Sequence, residues 1–185
     1  MYKRQALSVV LLLSLFVLSC TGSTNGSVQK NRPAAEILGN PAFPAISYGG
    51  YRTNSREVQP TMTQIKADLK ILHAMGVRIV RTYNLQFEHS PNVVKAIAEL
   101  RKEDPNFEMY VMLGTWIDCK DAWTEKPDHS QESLANNSSE IEKAIALTNE
   151  YPEIIKIITV GNEAMVHWAC SYHVAPAVIL KWVYH

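Results

Sequence analysis

An α/β fold with a parallel sheet is predicted by three observations. Short β-branched runs alternate with amphipathic helical stretches about four times, the links between them are short, and glycine or proline marks most changeovers. Ala45 to Tyr48 is the first apolar run, closed by Gly49-Gly50. After Pro60 a helix is expected, because Ile65, Leu69, Leu72 and Met75 share one stripe and Gly76 provides the stop. Val77 to Thr82 is the second strand. Ser90-Pro91 pairs a capping residue with proline in the first turn, and Val93, Val94, Ile97 and Leu100 give the next helix its apolar face. Met109 to Gly114 is the third strand. Ser139-Glu140-Ile141-Glu142 has capping-box spacing and predicts the start of a third helix that ends before Pro152. Ile154 to Val160 is the fourth strand, and a helical pattern restarts around Pro176.

Two architectures satisfy this alternation: an open doubly wound sheet and a barrel. The first, as a nucleotide binder, needs a G-x-G-x-x-G turn leading into a helix, and Tyr48-Gly49-Gly50-Tyr51 lacks that spacing. A barrel fits better. A whole (β/α)8 barrel takes roughly 250 residues, so the expectation for 185 residues is its N-terminal half, about four βα units, cut short at the C-terminus.

Lys+Arg and Asp+Glu are equal at 18 each. That balance offers no basic face for nucleic acid, which is not expected as a partner. Lys3 and Arg4 precede the apolar run Ala6 to Leu18, too short for the ~20 residues of a spanning helix. It reads as an export signal, with an uncleaved anchor as the alternative. Val17-Leu18-Ser19-Cys20 resembles the lipobox of bacterial lipoproteins, which implies lipidation at Cys20 and a membrane anchor. The expected division is a signal peptide over 1–19, a flexible tether over 20–40, and the partial barrel over 41–185. The expected location is the bacterial cell envelope, on a periplasmic or extracellular membrane face. An oxidising envelope permits a disulfide between Cys119 and Cys170, with two free thiols as the alternative.

In barrels the chemistry sits at the carboxyl ends of the strands. Those ends carry Tyr48, then Arg81, Tyr83 and Asn84, then Trp116 and Asp118, then Asn162 and Glu163. Aromatic faces suit the C–H surface of pyranose rings, Arg and Asn suit hydroxyls, and a glutamic acid can protonate a glycosidic oxygen. Each has a structural alternative: Arg81 as partner of a barrel carboxylate, Tyr48 and Tyr83 as core aromatics, Trp116 as a seal, Glu163 as a helix-entry carboxylate. Glu163, His167, Cys170 and His173 match no zinc spacing, so neither metal nor cofactor is expected.

"ISYGGYR", "VRIVRTYN" and "ITVGNEAMV" resemble the first, second and fourth strand ends of glycoside hydrolase family 17, the β-1,3-glucanases and related glucan-acting enzymes. The matching elements are Tyr48-Gly49, Arg81-Thr82-Tyr83 and Val160-Gly161-Asn162-Glu163. The resemblance implies a (β/α)8 barrel, a retaining mechanism, Glu163 as general acid/base and Asn162 at the sugar 2-hydroxyl. It implies a β-glucan polysaccharide or oligosaccharide as partner, bound with help from Tyr48, Arg81, Tyr83 and Trp116. The family's nucleophile belongs to a seventh strand that this sequence does not contain, so the chain alone is expected to be inactive. Glucan transglycosylation and noncatalytic glucan binding by a lipoprotein are the alternatives.

Overall fold

The computed structural model describes residues 31–185. The expected signal peptide and lipidation site Cys20 lie outside the described residues. A short helix α1 (Ala34–Ile37) precedes β1 (Ala45–Ser47), α2 (Met62–Ala74), β2 (Ile79–Arg81), α3 (His89–Glu103) and β3 (Tyr110–Thr115). A small hairpin, β4 (Cys119–Lys120) and β5 (Asp128–Glu132), leads to α4 (Leu134–Glu150), β6 (Ile155–Val160) and α5 (Pro176–Val183).

The main sheet is parallel with order β1-β2-β3-β6. Each new strand joins beside its predecessor and the order never reverses, so there is no topological switch point of the doubly wound kind. Ile65 and Leu69 of α2 and Val93, Val94, Ile97 and Leu100 of α3 pack on Val80, Val111 and Leu113 of the sheet. Because alternate strand residues face opposite sides, Ile79 and Tyr110 lie on the other face, where Ile37 closes the sheet's lower end. A tether reaching residue 40 is therefore corrected. Ile37 is fully buried and Arg32 bonds Glu108 at 2.8 Å, so the folded body already includes α1.

Gly114 fixes how closely β3 approaches the chain after β2. A Cβ there would lie 2.3 Å from the Thr82 carbonyl oxygen, so only glycine admits this approach. The expected strands are found within a residue or two of their predicted ends, and α2 gains a capping box between Thr61 and Gln64.

Two predicted helix starts are corrected. Ser90 lies inside α3, whose N-cap is Glu88, and its hydroxyl donates to the Asn84 carbonyl at 2.5 Å. The third long helix begins at Leu134, not near Ser139. Glu140, inside the expected capping box, is instead buried, and its carboxylate accepts the backbone N–H of Leu85 at 2.9 Å and of Trp116 at 2.9 Å. It ties the chain beyond β2 to the chain beyond β3. Burial raises its pKa, and those two bonds oppose the rise.

Candidate active site

All four strands of the parallel sheet send residues from their carboxyl ends into one cleft of about 310 Å³. Gly49 and Tyr51 follow β1, Tyr83 and Asn84 follow β2, Trp116 follows β3, and Asn162 and Glu163 follow β6. Arg56, from the long β1–α2 link, completes the wall. In a parallel sheet every strand ends on the same side, so one register places all these side chains together.

Glu163 is exposed to the cleft and has a positive φ of 51°, a region seldom adopted by residues with a Cβ. Gly161, two residues earlier, has φ 82°, and a Cβ there would meet Ala164 and Ile179 at 2.9 Å. The strand therefore ends in two left-handed residues that turn the chain sharply, with Asn162 between them. Strain of this kind is held where the surrounding structure over-determines it, often at functional sites.

Arg81 donates to the Asn162 side-chain oxygen at 2.9 Å and lies over the Tyr83 ring at 5.1 Å. With its oxygen so engaged, the Asn162 amide nitrogen has no partner among the described residues and remains a donor for a ligand. Arg81 is thus a positioning residue: it orients Asn162 without lining the cleft.

Tyr48, expected at the cleft, is corrected to a support. It is buried, and its hydroxyl donates to Asp68 of α2 at 2.8 Å while Arg52 bonds the other carboxylate oxygen at 2.7 Å. Tyr48 and Tyr51 both pack on His89, at 5.4 and 5.3 Å between ring centroids. Tyr51, not singled out from sequence, is the aromatic that reaches the cleft from β1.

Trp116 lines the cleft although it is buried, and its indole donates to Asp118 at 2.6 Å. Asp118 is itself buried, which raises its pKa, while hydrogen bonds from Trp116 and Trp123 pull it back. Glu88 lies at the start of α3, away from the cleft. Asp118, the other carboxylate expected at the strand ends, is therefore engaged by Trp116, and among the described residues Glu163 is the carboxylate lining this cleft.

Of the two alternatives for the cysteines, the structure has two free thiols. Cys119 is buried in the cluster with Ile117, Val174 and Trp182, while Cys170 is exposed on the loop after β6. His173 of that loop stacks on His129 at 3.6 Å, and its Nδ1 is taken up by the Ala169 carbonyl.

Tyr51 and Arg56 were missed because they belong to an irregular link whose course periodicity does not report. The Gly49-Gly50 turn was the available signal, since Gly50 has φ 65° and brings the chain against Tyr48.

Fold and cleft together define an α/β protein with a parallel sheet and a polar, aromatic-lined cleft at its strand ends. Among solved structures, the chain is similar to an endo-laminarinase from Formosa Hel1_33_131, with 60% sequence identity and a TM-score of 0.80. The match covers 83% of this chain and 39% of that one, so the chain spans well under half of that protein's length. No protein-family model and no curated protein matches it.

Proposed function

We propose that this chain is the N-terminal half of a (β/α)8 barrel of the glycoside hydrolase family 17 type, and that the complete enzyme cleaves β-1,3-glucan with retention. The carrying observation is the convergence of Asn162 and Glu163 with Tyr51, Tyr83 and Trp116 in one strand-end cleft, in a chain 60% identical to an endo-laminarinase. The unreversed strand order supports the barrel, because a barrel adds each strand beside the last.

In this reading Glu163 protonates the glycosidic oxygen as a second carboxylate attacks the anomeric carbon and forms a glycosyl-enzyme. Glu163, now ionised, then takes a proton from water as that water releases the sugar. The Asn162 amide, held by Arg81, donates to the 2-hydroxyl of the reacting ring. The two carboxyl groups of a retaining pair stand about 5–5.5 Å apart. Asp118, bonded to the Trp116 indole, and Glu88, outside the cleft, are not placed for that role. The nucleophile comes from a further strand, and the chain alone turns over no glucan.

The absence of a second carboxylate in this cleft among the described residues equally favours a noncatalytic glucan-binding role for the chain by itself. The complete enzyme separates the readings. Glu163→Gln should remove most of the rate on laminarin and far less on aryl glucosides, whose leaving groups need little protonation. Equal loss on both would argue against an acid role.

We further propose export and lipidation at Cys20, leaving the protein tethered to an envelope membrane. Cys20→Ser should abolish palmitate labelling and membrane partition; a variant still labelled would rule the lipobox out.

A further inference from the structure

Trp123 is 61% exposed, yet its backbone is held at a positive φ of 66°. An aromatic residue keeps that conformation only when its neighbours fix it. Here its backbone N–H donates to the Ser171 carbonyl at 2.8 Å. Its ring stacks on Tyr172 with centroids 4.9 Å apart and planes 24° off parallel. Tyr172 in turn meets Trp116 at 4.9 Å, and the Trp116 indole donates to the buried Asp118 carboxylate. A carboxylate only 3% exposed thus anchors Trp116, and through Tyr172 the stack ends on Trp123, a ring that adds little to the core.

The same ring lines a second depression of about 460 Å³ with Asp118, Gln86, Asn136, Ser139 and Lys143. It is an aromatic surface rimmed by an amide pair, a hydroxyl and an ammonium. Trp116 lines the Glu163 cleft and Trp123 lines this depression, so the Trp116–Tyr172–Trp123 stack connects the two.

We propose that Trp123 is the platform of an extended glucan subsite, holding glucosyl units of the chain whose reacting bond sits at Glu163. This rests on the β-glucan reading above. A β-linked glucosyl ring carries its substituents equatorially, leaving flat C–H faces to lie on an indole while its hydroxyls radiate toward Gln86, Asn136, Ser139 and Lys143.

Calorimetric titration of the chain with laminaritriose and laminarihexaose tests this. Trp123→Ala should weaken hexaose binding about tenfold, the size of one lost aromatic contact, and leave triose within about twofold, with Trp123→Tyr recovering part of the loss. Because Trp123 is exposed, both variants should keep the wild-type circular dichroism. Unchanged hexaose affinity in Trp123→Ala, or an equal loss for both sugars, overturns the platform while the glucan reading stands. Failure of the wild-type chain to bind either sugar overturns the glucan reading itself.

Discussion

Arg81 and Asn162 are 81 residues apart in sequence and 2.9 Å apart in space. Replacing Arg81 with Met keeps most of the side-chain bulk but frees the Asn162 amide to rotate, and in the complete enzyme kcat/KM should fall about 10- to 100-fold. Unaltered kinetics would mean that the pair is structural. His89 offers a test by pH. Burial lowers its pKa from 6.5 to about 4. The unfolded chain takes up a proton below about pH 6.5 that the folded chain refuses until about pH 4, so this contribution to stability is present above pH 6.5 and is lost as pH falls toward 4. The loss is about 3 kcal/mol. Asp118 and Glu140, with raised pKa values, bind protons more readily when folded and act in the opposite sense. Urea unfolding of wild type against His89→Phe cancels those two and isolates the histidine. The variant should lose less stability between pH 7 and 4, and identical slopes would refute a buried neutral imidazole. The residue types of the cleft were legible in sequence because parallel strands deliver their ends to one side. Tyr48 was misread because sequence cannot tell whether its hydroxyl points to a ligand or, as here, to Asp68 on the neighbouring helix.

At the scale of elements, the strands and the helices were legible from apolar periodicity, while the ties between them were not. Ser139 to Glu142 matched a cap pattern, yet long-range pairing claimed Glu140 for the loops after β2 and β3. Glu140→Ala strands two backbone N–H groups in a buried setting, at about 1–3 kcal/mol each. A fall of about 2–5 kcal/mol in unfolding free energy is expected, together with a change in the near-ultraviolet dichroism of Trp116; a loss under about 1 kcal/mol would show that water replaces the carboxylate. Gly114→Ala forces a methyl group against the Thr82 carbonyl and must part β3 from the chain beyond β2. Since backbone cannot yield as a side chain does, a loss of at least about 3 kcal/mol is expected in chemical denaturation. The hairpin of β4 and β5 was not foreseen, because "CKDAWTEKPDHSQE" is polar and lacks the alternation that marks a half-buried strand. Trp123, the one large apolar residue in that stretch, was the available signal.

On the whole molecule, the sheet ends at β1 and β6, each with one unpaired edge. All three residues of β1 are exposed, including Ile46 at 42%. Open edges beside apolar side chains recruit other strands. The purified chain should self-associate with rising concentration in sedimentation experiments and release no reducing sugar from laminarin. A stable, active monomer would show that the sheet needs no completion.

In the proposed mechanism Glu163 supplies the proton for glucan cleavage. A hybrid in which this chain replaces the matching 39% of the Formosa endo-laminarinase supplies the remainder of the molecule. Its kcat/KM should be measured on laminarin and on an aryl glucoside, with and without Glu163→Gln. The prediction is an active hybrid in which the substitution lowers laminarin cleavage at least about 1,000-fold and aryl glucoside cleavage by far less. An active hybrid whose laminarin cleavage survives Glu163→Gln would contradict it.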